Sequence, residues 1–142
     1  MVREEVLEKT PLLHSLSDSE IGDVKEYIKE EKFTDGAFIF NEGDFGDYLC
    51  IVAEGKVGIA RADKKDAPKI MWEVQKNMVF GEIALIDGQP RSGSALAIGE
   101  TEIYSLHVED FLRMADEKPS VALKISINIA KVLADYLRQT SA

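Results

Sequence analysis

The sequence predicts an α+β fold, with short helices at both ends and a run of short antiparallel strands between them. Three observations carry this. Apolar residues recur at steps of three and four in residues 1–30 and again in 107–142, the spacing of one helical face. From Phe33 onward the period falls to two, the spacing of one strand face. The strand-like runs are punctuated by Gly-, Asp- and Asn-rich pieces such as residues 41–47, N-E-G-D-F-G-D, which suit tight turns. The chain has 142 residues, 45% apolar and 30% charged, an ordinary globular mix and enough for a core without staples. We therefore expect one domain over 1–142, with a helical part (1–30), a strand region (31–106) and C-terminal helices (107–142).

Taken in order, Val2, Val6 and Leu7 begin the first helix, and Thr10-Pro11 breaks it. Ser17 followed three residues later by Glu20 is a capping-box pattern. It opens a second helix that carries Ile21, Val24, Tyr27 and Ile28 on one face. Phe38 and Phe40 flank Ile39 in the first alternating stretch. In the 41–47 turn, Gly43 and Gly46 can take positive φ. Tyr48–Ala53 reads as an apolar strand, Glu54-Gly55-Lys56 as a turn, and Val57–Ala60 as another strand. Arg61–Lys69 reads as a charged hairpin tip, and Ile70–Val74 as the next strand, with Trp72 as a large anchor. Ala95–Leu106 is one or two strands with a turn at Gly99-Glu100, and Val108–Met114 a short helix. Ser120 is expected to cap the last and longest helix, 121–138. That helix carries two apolar stripes: Leu123, Ile127, Ala130, Ala134 and Leu137, and Ile125, Ile129, Val132, Leu133 and Tyr136. One stripe can pack on the strands. The second calls for a partner, most simply the same helix of another copy, unless the chain buries both.

The chemistry concentrates in Phe80–Ala95, F-G-E-I-A-L-I-D-G-Q-P-R-S-G-S-A. It contains no obvious nucleophile–base pair. Gly81 lets backbone approach a ligand. Ile83-Ala84-Leu85 can form a helical turn whose free N–H groups favour an anion. Glu82 can accept from a hydroxyl. Arg91 offers a permanently charged planar fork suited to phosphate oxygens, and Ser92 adds a hydroxyl. Together these groups suit a small sugar phosphate.

This run resembles the phosphate-binding cassette of the cyclic nucleotide-binding domain family, F-G-E-[IL]-[AG]-L, a short turn, then P-R-[STA]-[AG]. The text E-G-D-x-G-D and, further on, E-G-K-V resembles the same family's β-roll. The N-terminal L-x-x-x-P-L-L-x-x-L-S-x-x-E-I is similar to its helices, so the resemblance covers about residues 5–138. It implies an antiparallel β-roll or jelly roll of about eight strands between N- and C-terminal helices. It implies Gly81 and Glu82 on a ribose 2′-hydroxyl, Arg91 and Ser92 on the cyclic phosphate, and the Ala84 N–H, beside Ile83, facing that phosphate. Two departures stand out. Asn77 replaces a usual glycine; asparagine best tolerates left-handed backbone, so the turn is expected to persist. Cys50 falls where an aromatic residue is common and reads as a small core hydrophobe. The hydroxyls with which bacterial transcription-factor members hold adenine would align with Tyr136 and Leu137, so that contact is expected to be missing, with Tyr136 stacking on the purine instead.

The implied function is a cyclic nucleotide sensor or regulatory domain, cAMP ahead of cGMP, acting through a partner protein or a homodimer formed by the 121–138 helix. The alternative is an interaction scaffold of the same fold that binds no nucleotide, although a scaffold has no need of Glu82 and Arg91. A metal enzyme on a similar roll would need clustered ligands. His14 and His107 lie outside the strand runs, so no catalytic residue, metal or cofactor is expected. A net charge of −9 argues against nucleic-acid binding and repels an anion at long range, so affinity must arise locally around Arg91. The apolar runs are too short to span a membrane, and the start is not a signal peptide. The single cysteine forms no internal disulfide, and a cytoplasmic setting fits. With the chain ending at Ala142, no DNA-binding, kinase or channel segment is expected.

Overall fold

A computed structural model describes residues 1–61 and 69–140, Thr140 by its backbone only. Among the described residues, five α-helices and six strands follow one another: α1 (Glu4–Lys9), α2 (Asp18–Val24), β1 (Ile28–Phe33), β2 (Phe38–Phe40), β3 (Tyr48–Arg61), β4 (Lys69–Val74), β5 (Val79–Phe80), α3 (Glu82–Asp87), β6 (Ser94–His107), α4 (Val108–Glu117) and α5 (Pro119–Thr140). All strand pairs are antiparallel, in the order β1-β6-β3-β4, with β2 on β6 and β5 on β3. This is the expected α+β arrangement of a jelly-roll type, helices at both ends.

The strand number differs from eight for a physical reason. Glu54-Gly55-Lys56 and Gly99-Glu100 do not reverse the chain. β3 and β6 each run 14 residues through those positions, and the ladder absorbs them as register shifts between Val52 and Lys56. Gly55 and Gly99 supply the positive φ that such irregularities need. Two boundaries also move. α2 ends at Val24, a 3₁₀ turn covers Lys25–Tyr27, and Ile28 starts β1 opposite Leu106 instead of continuing the helix. α5 starts one residue earlier than Ser120: Pro119 takes the first helical position, where its missing N–H costs nothing, and Ser120 lies inside. The expected charged tip at 61–69 falls largely on residues 62–68, outside the described residues.

Two apolar clusters divide the core. Leu49, Ile51 and Ala53 of β3 face one of them, with Val6, Leu12, Ile21, Val24, Met114, Ile125 and Ile129 from the helices. Cys50 and Val52 face the other, inside the roll, with Phe40, Val57, Ile59, Val74 and Phe80. Burial on both faces explains why this strand reads as a continuous apolar run. The capping box forms as read: the Ser17 hydroxyl accepts from the Glu20 N–H (3.2 Å) and the Ser17 N–H donates to Glu20 Oε1 (2.9 Å).

α5 is fastened by its first half. Buried Asn128 donates from Nδ2 to the carbonyls of Leu12 (2.9 Å) and His14 (2.8 Å), and Lys124 pairs with Glu20 at 2.8 Å. The stripe with Ile125 and Ile129 packs inward. The stripe with Leu123 (61% exposed), Ile127 and Leu137 faces outward, so the chain does not bury both.

Candidate functional site

The cassette is built by a short strand, a tight turn and a short helix. β5 pairs with β3 (Cys50 opposite Phe80) and delivers the chain to Gly81, which caps α3 at φ 76°. A side chain there is disfavoured twice, by the left-handed backbone and by Arg91 Nη1, which a Cβ would approach to 2.7 Å. Glu82 opens α3, and Gly88 ends it in the left-handed region. The chain then returns through Pro90, which bridges Phe45, to Arg91. The 41–47 turn holds that arginine's backbone from both sides: the Gly43 N–H donates to the Arg91 carbonyl (2.9 Å), and the Arg91 N–H to the Asp44 carbonyl (2.7 Å).

Arg91 is the centre of the site. It is only 5% exposed. Its guanidinium lies 4.0 Å from the ring centroid of Phe40 and 4.7 Å from that of Tyr48, a clamp that stabilises a cation. Nη1 donates to the Gly81 carbonyl (2.8 Å) and Nη2 to the Tyr48 carbonyl (2.6 Å). Nε is buried and has no hydrogen-bond partner among the described residues. Such a donor is costly to leave unmatched. Gly46 packs directly beside it. A Cβ at Gly46 would overlap the Ala84 methyl and stand 2.9 Å from Nε. Of the two turn glycines, Gly43 uses its freedom to take positive φ, while Gly46 is required for space.

A cavity of about 420 Å³ opens at this point, within the size range of small-ligand sites. Every residue singled out from sequence borders it: Gly81, Glu82, Ile83, Ala84, Arg91, Ser92 and, from α5, Tyr136. Ala84 is buried, whereas Ser92 is exposed and Ile83 and Tyr136 are about half exposed. Burial pushes the Glu82 carboxyl above the ordinary carboxylate range; its own N–H and Arg91 act in the opposite sense. Burial likewise drives the Cys50 thiol far up, with Arg91 opposing, so it stays protonated and inert.

Sequence reading missed several contributors. The alternation of Phe38 and Phe40 marked Phe40 as half of a strand face, but nothing tied it to Arg91. Tyr48 is 43 positions from Arg91, and no local signal joins them. Trp72, read as an anchor, is 45% exposed on the cavity's rim. His107 is not a bare boundary residue: its ring stacks at 4.8 Å on Tyr48, one of the two rings that clamp the arginine. Among the described residues, no three His, Cys, Asp or Glu side chains converge as a metal-ligand set. No helix of the described residues is long and apolar enough to cross a membrane.

Comparison with known proteins gives the same cassette a lineage. The chain is 34% identical over 92% of its length to the cyclic AMP receptor protein of Thermus thermophilus, spanning 58% of that protein. It is 31% identical over 78% of its length to the cAMP-dependent protein kinase regulatory subunit of Colletotrichum orbiculare, spanning 28% of it. The crystal structure of the N-terminal domain of a transcriptional regulator from Streptomyces coelicolor A3(2) superposes with a TM-score of 0.82 at 28% identity, covering 92% of this chain and 94% of that one. The chain thus spans well under two thirds of these curated relatives. The model of the cyclic nucleotide-binding domain matches residues 30–118, a segment that includes the whole arginine-centred cassette, and this chain belongs to the cyclic nucleotide-binding domain family.

Proposed function

We propose that the chain is a receptor domain for a 3′,5′-cyclic nucleotide, cAMP ahead of cGMP, and that the ligand occupies the 420 Å³ cavity. In this reading Glu82 and the backbone at Gly81 take the ribose 2′-hydroxyl. Arg91, Ser92 and the Ala84 N–H beside Ile83 hold the cyclic phosphate, and Tyr136 covers the base. The domain performs no catalysis. It passes the signal to a partner protein or a second copy through the outward stripe of α5, in the cytoplasm. The observation that carries the reading is Arg91: a buried cation on the wall of a ligand-sized cavity, with its Nε donor unmatched among the described residues. Relatives named for cyclic AMP and for the cAMP-dependent kinase favour cAMP. With a net charge of −9, the attraction for a phosphate must be this local one.

One observation favours the scaffold reading instead. Both Nη groups are already bonded to backbone carbonyls, as in an arginine kept for structure alone. Thermal melting separates the two readings. At about 100 times Kd, cAMP should stabilise the fold by roughly 2.7 kcal/mol, a Tm rise on the order of 10 °C. Unchanged melting with both cAMP and cGMP would favour the scaffold.

A further inference from the structure

The cavity bordered by Gly81, Glu82, Arg91 and Ser92 is also lined by an aromatic residue with no role so far, Trp72. Trp72 sits in β4 directly across from Ile59 of β3. Trp72 and Val74, two positions apart and so on one strand face, both border the cavity. Glu73, between them, faces outward to Lys56 at 3.5 Å. Ile59 in turn lies against the residue that follows Ser92: a Cβ on Gly93 would come within 3.4 Å of Ile59 Cγ2 and 3.0 Å of the Ala60 carbonyl. Ile59, the indole's strand neighbour, thus lies close to the segment that carries Arg91 and Ser92, and all three line the same cavity as Trp72. A sugar phosphate held at Arg91 and a flat ring against Trp72 would share this one cavity. An indole buried for stability would lie inside the roll cluster with Phe40 and Phe80; Trp72 is 45% exposed at the rim.

We propose that Trp72 is the base-stacking residue of the site, taking one face of a purine while Tyr136 of α5 closes over the other. This rests on the cyclic nucleotide reading above and adds a residue that the cassette does not contain. A base offers a π-face to any aromatic side chain, and such stacking tolerates different bases. Trp72 accordingly supplies affinity for a base as such, with little choice between adenine and guanine.

Trp72 is the chain's single tryptophan, so wild-type protein reports on itself. Titration with cAMP is expected to give a saturable change in intrinsic fluorescence. Ribose 3′,5′-cyclic phosphate, which has no base, is expected to displace cAMP without reproducing that change. By calorimetry, Trp72→Leu should weaken cAMP about 5- to 150-fold and leave the base-free probe unaffected, while Trp72→Phe should retain most of the affinity. If cAMP binds and Arg91→Ala abolishes it, yet fluorescence stays constant and Trp72→Leu titrates like wild type, the stacking assignment is overturned and the receptor reading stands. If wild-type protein binds neither cAMP nor cGMP, both fall together.

Discussion

Glu82 and Arg91 respond to the cavity in opposite ways. The arginine's charge is supported by two carbonyls and two aromatic faces. The glutamate's charge is penalised by burial, which raises its pKa. A carboxyl whose folded-state pKa lies above its unfolded value binds more protons when folded, so stability falls as pH rises through the window between the two values. Without ligand, Glu82→Gln should therefore be more stable than wild type at neutral pH and should flatten that part of the stability–pH curve, read by urea unfolding from pH 4 to 8. Binding has the opposite sense. A ribose hydroxyl donates best to the ionised carboxylate, so the wild type's affinity for cAMP should rise with pH through the raised folded-state value. Glu82→Gln should bind about 5- to 10-fold more weakly at neutral pH. A variant both less stable and unchanged in affinity would contradict this role. At this scale the sequence was legible where chemistry is local: Gly81, Glu82, Arg91 and Ser92 sit within a dozen positions. It did not tie Phe40, Tyr48 or Gly46 to Arg91, because that contact exists only once β3 and the 41–47 turn have folded against it.

Among elements, the turn between β4 and β5 tests how far local preference governs the roll. The Met78 N–H donates to the Gln75 carbonyl (3.1 Å), and Asn77, at the third turn position, has φ 74°. That geometry requires positive φ. The expectation that asparagine would keep the turn is met, and the Asn77 N–H also donates to the Val52 carbonyl at 2.7 Å. Asn77→Ala should cost about 1–2 kcal/mol, and Asn77→Gly should cost nothing or stabilise slightly, as measured by chemical denaturation. Equal loss in both would show that the amide side chain, not the backbone, sets the turn. The capping box of α2 and the left-handed Gly43 were readable because each depends on a few adjacent residues. Ile28 was misassigned because its apolar side chain fits a helix face and a strand face equally well. β3 was split in two, and β6 left as one strand or two, because a glycine inside a bulge looks in sequence like a glycine in a turn. Beside the inward stripe of α5 lies Asn128, which belongs to neither stripe and whose burial depends on two carbonyls more than 110 positions away.

Across the whole molecule, α5 joins the cavity to the outer surface. Its first half is fixed by Ile125, Asn128 and Ile129, and its second half carries Val132 and Tyr136 along the cavity. A ligand moves this helix only if it binds one helix position better than another; in the proposed reading, closure of Tyr136 over the base is that difference. Saturating cAMP should then change hydrogen exchange in residues 80–95 and also in 130–138. Change confined to 80–95 would make α5 a static element and remove the switching model. The central claim is narrower: the cavity binds a cyclic phosphate through Arg91. Calorimetric titration of cAMP into wild type and Arg91→Ala, each first shown by circular dichroism to be folded, tests it most directly. The account predicts saturable binding by wild type at one ligand per chain. In the variant it predicts a loss of about 30- to several thousand-fold, the effect of leaving a desolvated phosphate without its counter-charge. A folded Arg91→Ala protein that titrates like wild type would contradict it.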